Sequence, residues 1–250
     1  MEFLTPSVTA DDRPPVIDAG GGTPELSPEP SYDLVIQQLL PGYASLARLA
    51  VALLAASPQA SRPGSSVLVA GCGTGAELLE ARAQRSDWQL TAIDPSAAML
   101  EEARARLEQR EPGGQAVAWR QSTAEDLGAE AEFDGALSVL VLQSLPDDGT
   151  KLAFLSALAR SLRPGGQLVL VDLMRPERSA LQAQIDAAWL GFQRASGLTA
   201  APEQLGALGQ ALHPIGTARL GALVNAAGFG DPAPVFKALD FEGFLLQRLA

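Results

Sequence analysis

One cysteine and one histidine stand in 250 residues. With a single thiol no intramolecular disulfide can form, and a reducing cytoplasmic setting is expected. One His and one Cys supply too few nitrogen and sulfur ligands for a metal centre, so none is expected. Basic residues are also scarce: 18 Lys and Arg against 29 Asp and Glu leave a net charge of -11. No run of basic residues occurs, which argues against a nucleic-acid partner. Long apolar runs are missing too. The stretch 46–56 is interrupted by Arg48 and is too short to span a bilayer, and no signal peptide is visible, so no membrane partner is expected. What remains, with 47% hydrophobic residues, suits one globular domain with an embellishment.

Residues 1–30, rich in Pro, Gly, Asp and Thr and without a periodic apolar face, read as a flexible leader. The ordered domain is expected over 31–250, beginning with a helix over 32–40 stopped by Pro41-Gly42 and a second over 43–56. Its organising stretch is Val67-Leu-Val-Ala-Gly-Cys-Gly-Thr-Gly75. Four apolar residues read as a strand buried on both faces, a glycine turn follows, and residues 76–82 open an amphipathic helix. Gly71, Gly73 and Gly75 allow a tight turn and the close approach of a ligand. A second strand over 88–94 ends in Asp94, placed to accept hydrogen bonds from both hydroxyls of a ribose. Dinucleotide sites usually need G-x-G-x-x-G. The alternation Gly71-Cys-Gly73-Thr-Gly75 differs from it and resembles motif I of class I S-adenosylmethionine-dependent methyltransferases.

The rest of the chain keeps a strand–helix rhythm. A helix over 95–107 has Ser96 as N-cap and Ala97, Leu100, Ala103 and Leu107 as its inward stripe. Met99 falls off that stripe, either against a bound purine or as a core filler. Further strands are expected over 115–120, 133–142 and 167–173, with a helix over 151–162 and a turn at 163–166. Such alternation requires right-handed crossovers and a parallel sheet covered on both faces. Residues 176–214 break the rhythm as a helical lid, with helices over 177–195 and 202–212, inserted after strand five. A helix over 217–227 then leads to strands over 233–239 and 241–248, an antiparallel hairpin. The expected fold class is therefore α/β, Rossmann-like, with a seven-stranded mostly parallel sheet.

Over 32–250 the chain resembles a class I methyltransferase, and more narrowly the carboxy-S-adenosylmethionine synthase group. The narrower similarity rests on Leu40-Pro-Gly-Tyr43, Leu142-Gln-Ser-Leu145, Gly191-Phe-Gln-Arg-Ala-Ser-Gly197, Ala227-Gly-Phe229 and Phe241-Glu-Gly-Phe244. The resemblance implies Tyr43 and the backbone of Gly71, Cys72 and Gly73 around the methionine part of the cofactor. It implies Asp94 at the ribose, Pro95 beside the adenosine, and Thr123 and Ala124 flanking adenine. Val139 stands where that group has an asparagine near the cofactor. Glu125 belongs to the same Ser122–Leu127 stretch, with charging of a helix start as its alternative role. The lid arginine that pairs with a carboxylated cofactor has no counterpart, because no Arg or Lys occurs between Gly197 and Arg219. Plain S-adenosylmethionine is the expected cofactor.

The expected activity is in-line methyl transfer to a small-molecule acceptor. The alternatives are another S-adenosylmethionine-consuming reaction (carboxy-S-adenosylmethionine synthesis, cyclisation or a lyase reaction) or a binding protein without chemistry. Candidate catalytic groups are Tyr43, which otherwise packs on the core, and His213, which otherwise is a loop residue. Trp189, Phe192 and Gln193 are candidates for an acceptor pocket, although Trp189 and Phe192 have the i, i+3 spacing of a core stripe. Cys72 reads as a small residue filling the glycine turn, with a nucleophile as the alternative. A homodimer is left open.

Overall fold

The computed structural model describes residues 32–176, 179–198 and 212–250. Two helices, α1 (Tyr32–Leu39) and α2 (Tyr43–Ala55), precede the sheet. Then β1 (Ser66–Ala70), α3 (Ala76–Gln84), β2 (Gln89–Asp94), α4 (Ala97–Arg110), β3 (Ala118–Gln121) and β4 (Phe133–Val139) alternate. The second half holds α5 (Thr150–Ser161), β5 (Leu162–Leu173), α6 (Gln182–Ala195), α7 (Thr217–Ala227), β6 (Ala233–Ala238) and β7 (Phe241–Gln247). The seven strands lie in the order β3-β2-β1-β4-β5-β7-β6, with β1 to β5 parallel and β7 antiparallel to both of its neighbours. Strand order reverses between β1 and β4, and a crevice at the carboxyl ends of such strands is where open α/β sheets bind ligands.

Period-two alternation decides which strand residues face which helical layer. In β1, Val67 and Val69 join the core made with Leu46, Leu54 of α2, Leu78 of α3 and Leu100 of α4. Leu68 and Ala70 join the core on the other face, with Leu155 and Leu158 of α5 and Leu220 and Val224 of α7. Both faces are covered, so β1 reads as an unbroken apolar run. Helix α2 descends onto the sheet at Gly135 of β4, where an added Cβ would lie 2.6 Å from Leu54 Cδ1.

Several boundaries differ from the sequence reading. Strand β5 starts at Leu162, so the expected turn at 163–166 belongs to an irregular strand segment. Phe133 pairs with Leu162 and the register then shifts by Gly135, while Gly165 takes φ +79°. Gly165 N–H donates to Arg248 O and Arg248 N–H to Gly166 O, so the segment is still held at the sheet. Strand β4 stops at Val139, three residues early, because Leu140 turns to φ +60° and a 3-10 turn follows over Leu142–Ser144. Helix α6 begins at Gln182, later than expected. Ala97 is exposed, since α4 presses only Leu100 and Ala103 fully inward, with Leu107 half-buried. The leader and most of the second lid helix lie outside the described residues. Among those described, no single helix is long and apolar enough to cross a membrane.

Truncating Leu54, which is fully buried, removes the contact that seats α2 on β4. Leu54→Ala is expected to cost about 2–5 kcal/mol in urea unfolding. Gly135→Ala is expected to be destabilising in the wild type but less so in the Leu54→Ala background, a coupling that a double-mutant cycle measures.

Candidate functional site

The turn after β1 is built on left-handed glycines: Gly71, Gly73 and Gly75 have φ of +68°, +49° and +87°. A Cβ on Gly71 would overlap the side chain of Val141, and one on Gly75 would lie 3.0 Å from Ala103 Cβ on α4. Nothing lies within 4 Å of where Gly73 would carry a side chain. The turn is fastened to β2 by its amides. Gly71 N–H and Cys72 N–H both donate to Ile93 O, at 2.9 and 3.0 Å, and Gly73 N–H donates to Asp94 Oδ2 at 3.0 Å. The other Asp94 oxygen accepts from Ser96 N–H at 2.9 Å, just before Ser96 caps α4 by accepting from Met99 N–H.

Beside this turn lies a cavity of 310 Å³. Of the residues singled out by sequence, Tyr43, Gly71, Cys72, Gly73, Asp94, Pro95, Met99 and Val139 line it. Thr123, Ala124 and Glu125 do not. Thr123 instead caps the next turn, accepting from Asp126 N–H and donating to the Asp126 carboxylate, and Ala124 is buried in the α5-side core. Their loop nonetheless stays beside the end of β2, since Ser122 N–H donates to Asp94 O at 3.2 Å. Burial, with Asp94 and Glu77 close by, pushes the Cys72 thiol up to about 12, so it stays protonated and the filler role fits it.

Sequence reasoning missed Thr74, Ala76, Glu77, Ser96, Leu140, Val141 and Ser144, which also line the cavity. Thr74 and Ala76 belong to the glycine turn itself and were within reach of the motif. Glu77 was not, because an acidic residue in the first turn of a helix normally reads as a solvated charge near the positive dipole end. It is buried, with 7% of its surface exposed. Burial pushes its carboxyl up to about 7, opposed by its own backbone N–H and by Arg106, and reinforced by Asp33. Arg106 is held elsewhere: it pairs with Asp33 at 2.6 Å and donates to Thr74 O at 2.8 Å, while Thr74 Oγ1 donates to Asp33 at 2.5 Å. This cluster ties α1 and α4 to the glycine turn.

The opposite lip of the cavity is the exit of β4. Leu140 N–H donates to Val171 O at 2.7 Å, and Val141 lies against Gly71. Beneath the lip, buried Asp172 accepts from Leu142 N–H (3.2 Å) and Gln143 N–H (2.8 Å), and fully buried Lys151 donates to Leu142 O. Burial pushes Asp172 up to about 7 and Lys151 below its ordinary range, each opposed by the other's charge. Gln143 is tied to β5: its Oε1 accepts from Leu173 N–H at 2.9 Å.

His213 and Tyr43 do not come together. His213 is exposed and lines a second cavity, of 620 Å³, with Leu173, Met174, Gln182, Asp186 and Asp240. Trp189 takes the packing role: its indole N–H donates to Leu39 O at 2.7 Å and its ring meets Phe241 edge-on with centroids 6.0 Å apart. Gln193 is buried and Phe192 half-buried. Among the described residues no group of three or more potential metal ligands occurs. The first cavity is therefore lined by two carboxylates, Asp94 and Glu77, and by no Lys, Arg or His among the described residues.

Glu77 gives this site a pH signature. Its folded-state value lies above the ordinary 4.5, so its contribution to stability is full below about pH 4.5 and is lost as pH rises through 7. At pH 8 Glu77→Gln is expected to unfold with roughly 1–3 kcal/mol more free energy than the wild type, the difference shrinking toward pH 5.5. Urea titrations at several pH values check this, and parallel curves for the two proteins would contradict it.

Comparison with known proteins places the chain among methyltransferase-like sequences and folds. A protein family described as Methyltransferase domain matches residues 67–166. The chain is 38% identical over 134 residues to the ubiquinone biosynthesis O-methyltransferase of Pseudomonas paraeruginosa, covering 53% of this chain and 54% of that protein. It is 37% identical over 114 residues to the O-methyltransferase resE of Aspergillus sclerotiorum, covering 45% of this chain and 41% of the other. The chain thus spans about half the length of the curated relatives it matches. Among solved structures, magnesium protoporphyrin IX methyltransferase from Synechocystis with bound S-adenosylhomocysteine superposes with TM-score 0.59 at 20% identity, over 83% of this chain and 84% of that one. The 1,6-didemethyltoxoflavin-N1-methyltransferase of Burkholderia thailandensis, with its substrate and S-adenosylhomocysteine, gives 0.56 at 23% identity, over 82% and 78%. The fold is that of the class I S-adenosylmethionine-dependent methyltransferases, with the antiparallel β6–β7 hairpin and a helical insertion after β5.

Proposed function

We propose that the chain is an S-adenosylmethionine-dependent methyltransferase acting on a small-molecule acceptor. The observation that carries this reading is the glycine turn docked on the end of β2, with Asp94 at its edge and the cavity alongside. Each Asp94 oxygen takes one backbone N–H and keeps further acceptor capacity, so the carboxylate can accept both ribose hydroxyls without giving up its structural bonds. Pro95 and Met99 flank the adenine side, with Thr123, Ala124 and Glu125 in the adjoining loop. The backbone of Gly71 to Gly73 and Tyr43 surround the methionine part.

When bound, the cofactor would supply a methyl group activated on a sulfonium, with a neutral thioether as its leaving group. The chain's own work is alignment, which can supply roughly 7–11 kcal/mol of a bimolecular barrier. Val139, Leu140 and Val141 form an apolar lip, fixed from below by Asp172 and Lys151, which keeps water off one side of the cavity. Tyr43 is the cavity's one phenol and the better candidate for contact with the reacting centre, since His213 lies in the other cavity.

The narrower likeness to carboxy-S-adenosylmethionine synthases calls for a cation facing the added carboxylate. The described lining has none, and residues 198–218 contain neither Arg nor Lys, which supports the plain cofactor. The net charge of -11 supports a small acceptor over a nucleic acid, and the single buried thiol fits a cytoplasmic setting.

Calorimetric titration with S-adenosylmethionine is expected to give a micromolar dissociation constant, and Asp94→Ala to weaken it at least about tenfold through loss of two charge-assisted hydrogen bonds. Turnover with an acceptor is expected to release S-adenosylhomocysteine. Release of methylthioadenosine would favour lyase-type chemistry, and tight binding without either product a binding protein.

A further inference from the structure

The cavity holds a carboxylate that the ribose does not need. Glu77 sits two residues past Gly75 in the first turn of α3, lines the cavity, and is more than nine-tenths buried. A buried carboxylate is costly unless a cation or several donors compensate it. The guanidinium whose charge acts on Glu77, that of Arg106, is engaged by Asp33 and by Thr74 O, and Thr74 Oγ1 adds a further bond to Asp33. The compensation built into the fold for Glu77 is its own backbone N–H, the amino end of α3 and the charge of the Asp33-paired Arg106. Asp94, in contrast, has each oxygen engaged by one backbone N–H, and its remaining acceptor capacity is assigned above to the ribose.

We infer that Glu77 binds the α-ammonium of the cofactor's amino-acid part, as a charge-assisted acceptor on the glycine-turn wall of the cavity. This rests on the S-adenosylmethionine reading and goes beyond it by assigning a ligand group to a residue outside the glycine motif and the strand-end aspartate. A primary ammonium carries three donors and one positive charge, which is what a buried carboxylate facing a cavity without a lysine, arginine or histidine in its described lining accepts. The assignment leaves Asp33 and Arg106 a separate task, to hold α1 and α4 on the turn while Glu77 faces the ligand.

Three ligands separate this role from a merely structural one: S-adenosylhomocysteine carries the ammonium and a carboxylate, decarboxylated S-adenosylmethionine the ammonium alone, and 5′-methylthioadenosine neither. In calorimetry on the full chain, Glu77→Gln is expected to weaken the first two by about tenfold or more and to leave the third within about twofold. Glu77→Asp, which keeps the charge, is expected to recover part of the loss and guards against a folding defect in the glutamine variant. Equal weakening of all three ligands, or of none, would overturn the assignment while leaving the cofactor reading in place. A wild-type chain that binds none of the three would overturn both.

Discussion

Three consecutive amides of the glycine turn are received by the end of β2: Gly71 and Cys72 by the carbonyl of Ile93, and Gly73 by the carboxylate of Asp94. Everything that makes the cavity follows from this docking. The amides must point at β2, which demands left-handed backbone at Gly71 and Gly73. With Gly71 lacking a Cβ, Val141 from the β4 exit can close over it, and with Gly75 lacking one, α4 can approach through Ala103. A side chain at Gly71 would push the two lips of the cavity apart. Asp94 is thus a scaffold residue, and the ribose role proposed for it is compatible with that because a carboxylate has more acceptor sites than the turn uses.

The other lip depends on burying charge. Leu140 holds a left-handed conformation that a branched aliphatic residue adopts at a cost of order 1–3 kcal/mol, and such strain persists only where the surroundings over-determine it. Here Val171 O takes the Leu140 N–H, Asp172 takes the amides of Leu142 and Gln143, and Lys151 donates to the Leu142 carbonyl. The opposite charges of Asp172 and Lys151 act on each other in this buried setting, where either alone would be far more costly. Placing Asp172 on β5 and Lys151 on α5 makes the lip part of the sheet instead of a free loop.

The fold was largely legible because its signals are local. Apolar strands, the glycine turn and the alternation with helices set the parallel sheet, and Gly228 marked the end of α7 correctly. Asp94 was legible for the same reason, as a carboxylate ending an apolar strand. The failures share one cause, which is that tertiary hydrogen bonding overrides local pattern. Val139 ends β4 although the apolar run continues, since Asp172, thirty residues on, claims the following amides. Residues 163–166 look like a turn by composition, yet Arg248 from the far end of the chain keeps them in β5, inside the sheet. Glu77 was illegible because a glutamate in a helix's first turn has an adequate solvent-exposed explanation, and only packing shows that it is buried. Trp189 and Phe192, spaced as a core stripe, show the converse: for Trp189 the plain reading of the spacing was the right one.

The proposed function stands or falls with the cavity beside Gly71–Gly75 and Asp94 being built for a nucleoside carrying an amino acid. Mass spectrometry of the nucleoside that comes away with the purified, denatured chain tests it most directly. S-adenosylmethionine or S-adenosylhomocysteine is expected from the wild type and neither from Asp94→Ala. A dinucleotide, a carboxylated S-adenosylmethionine, or no nucleoside together with no titratable site would contradict it.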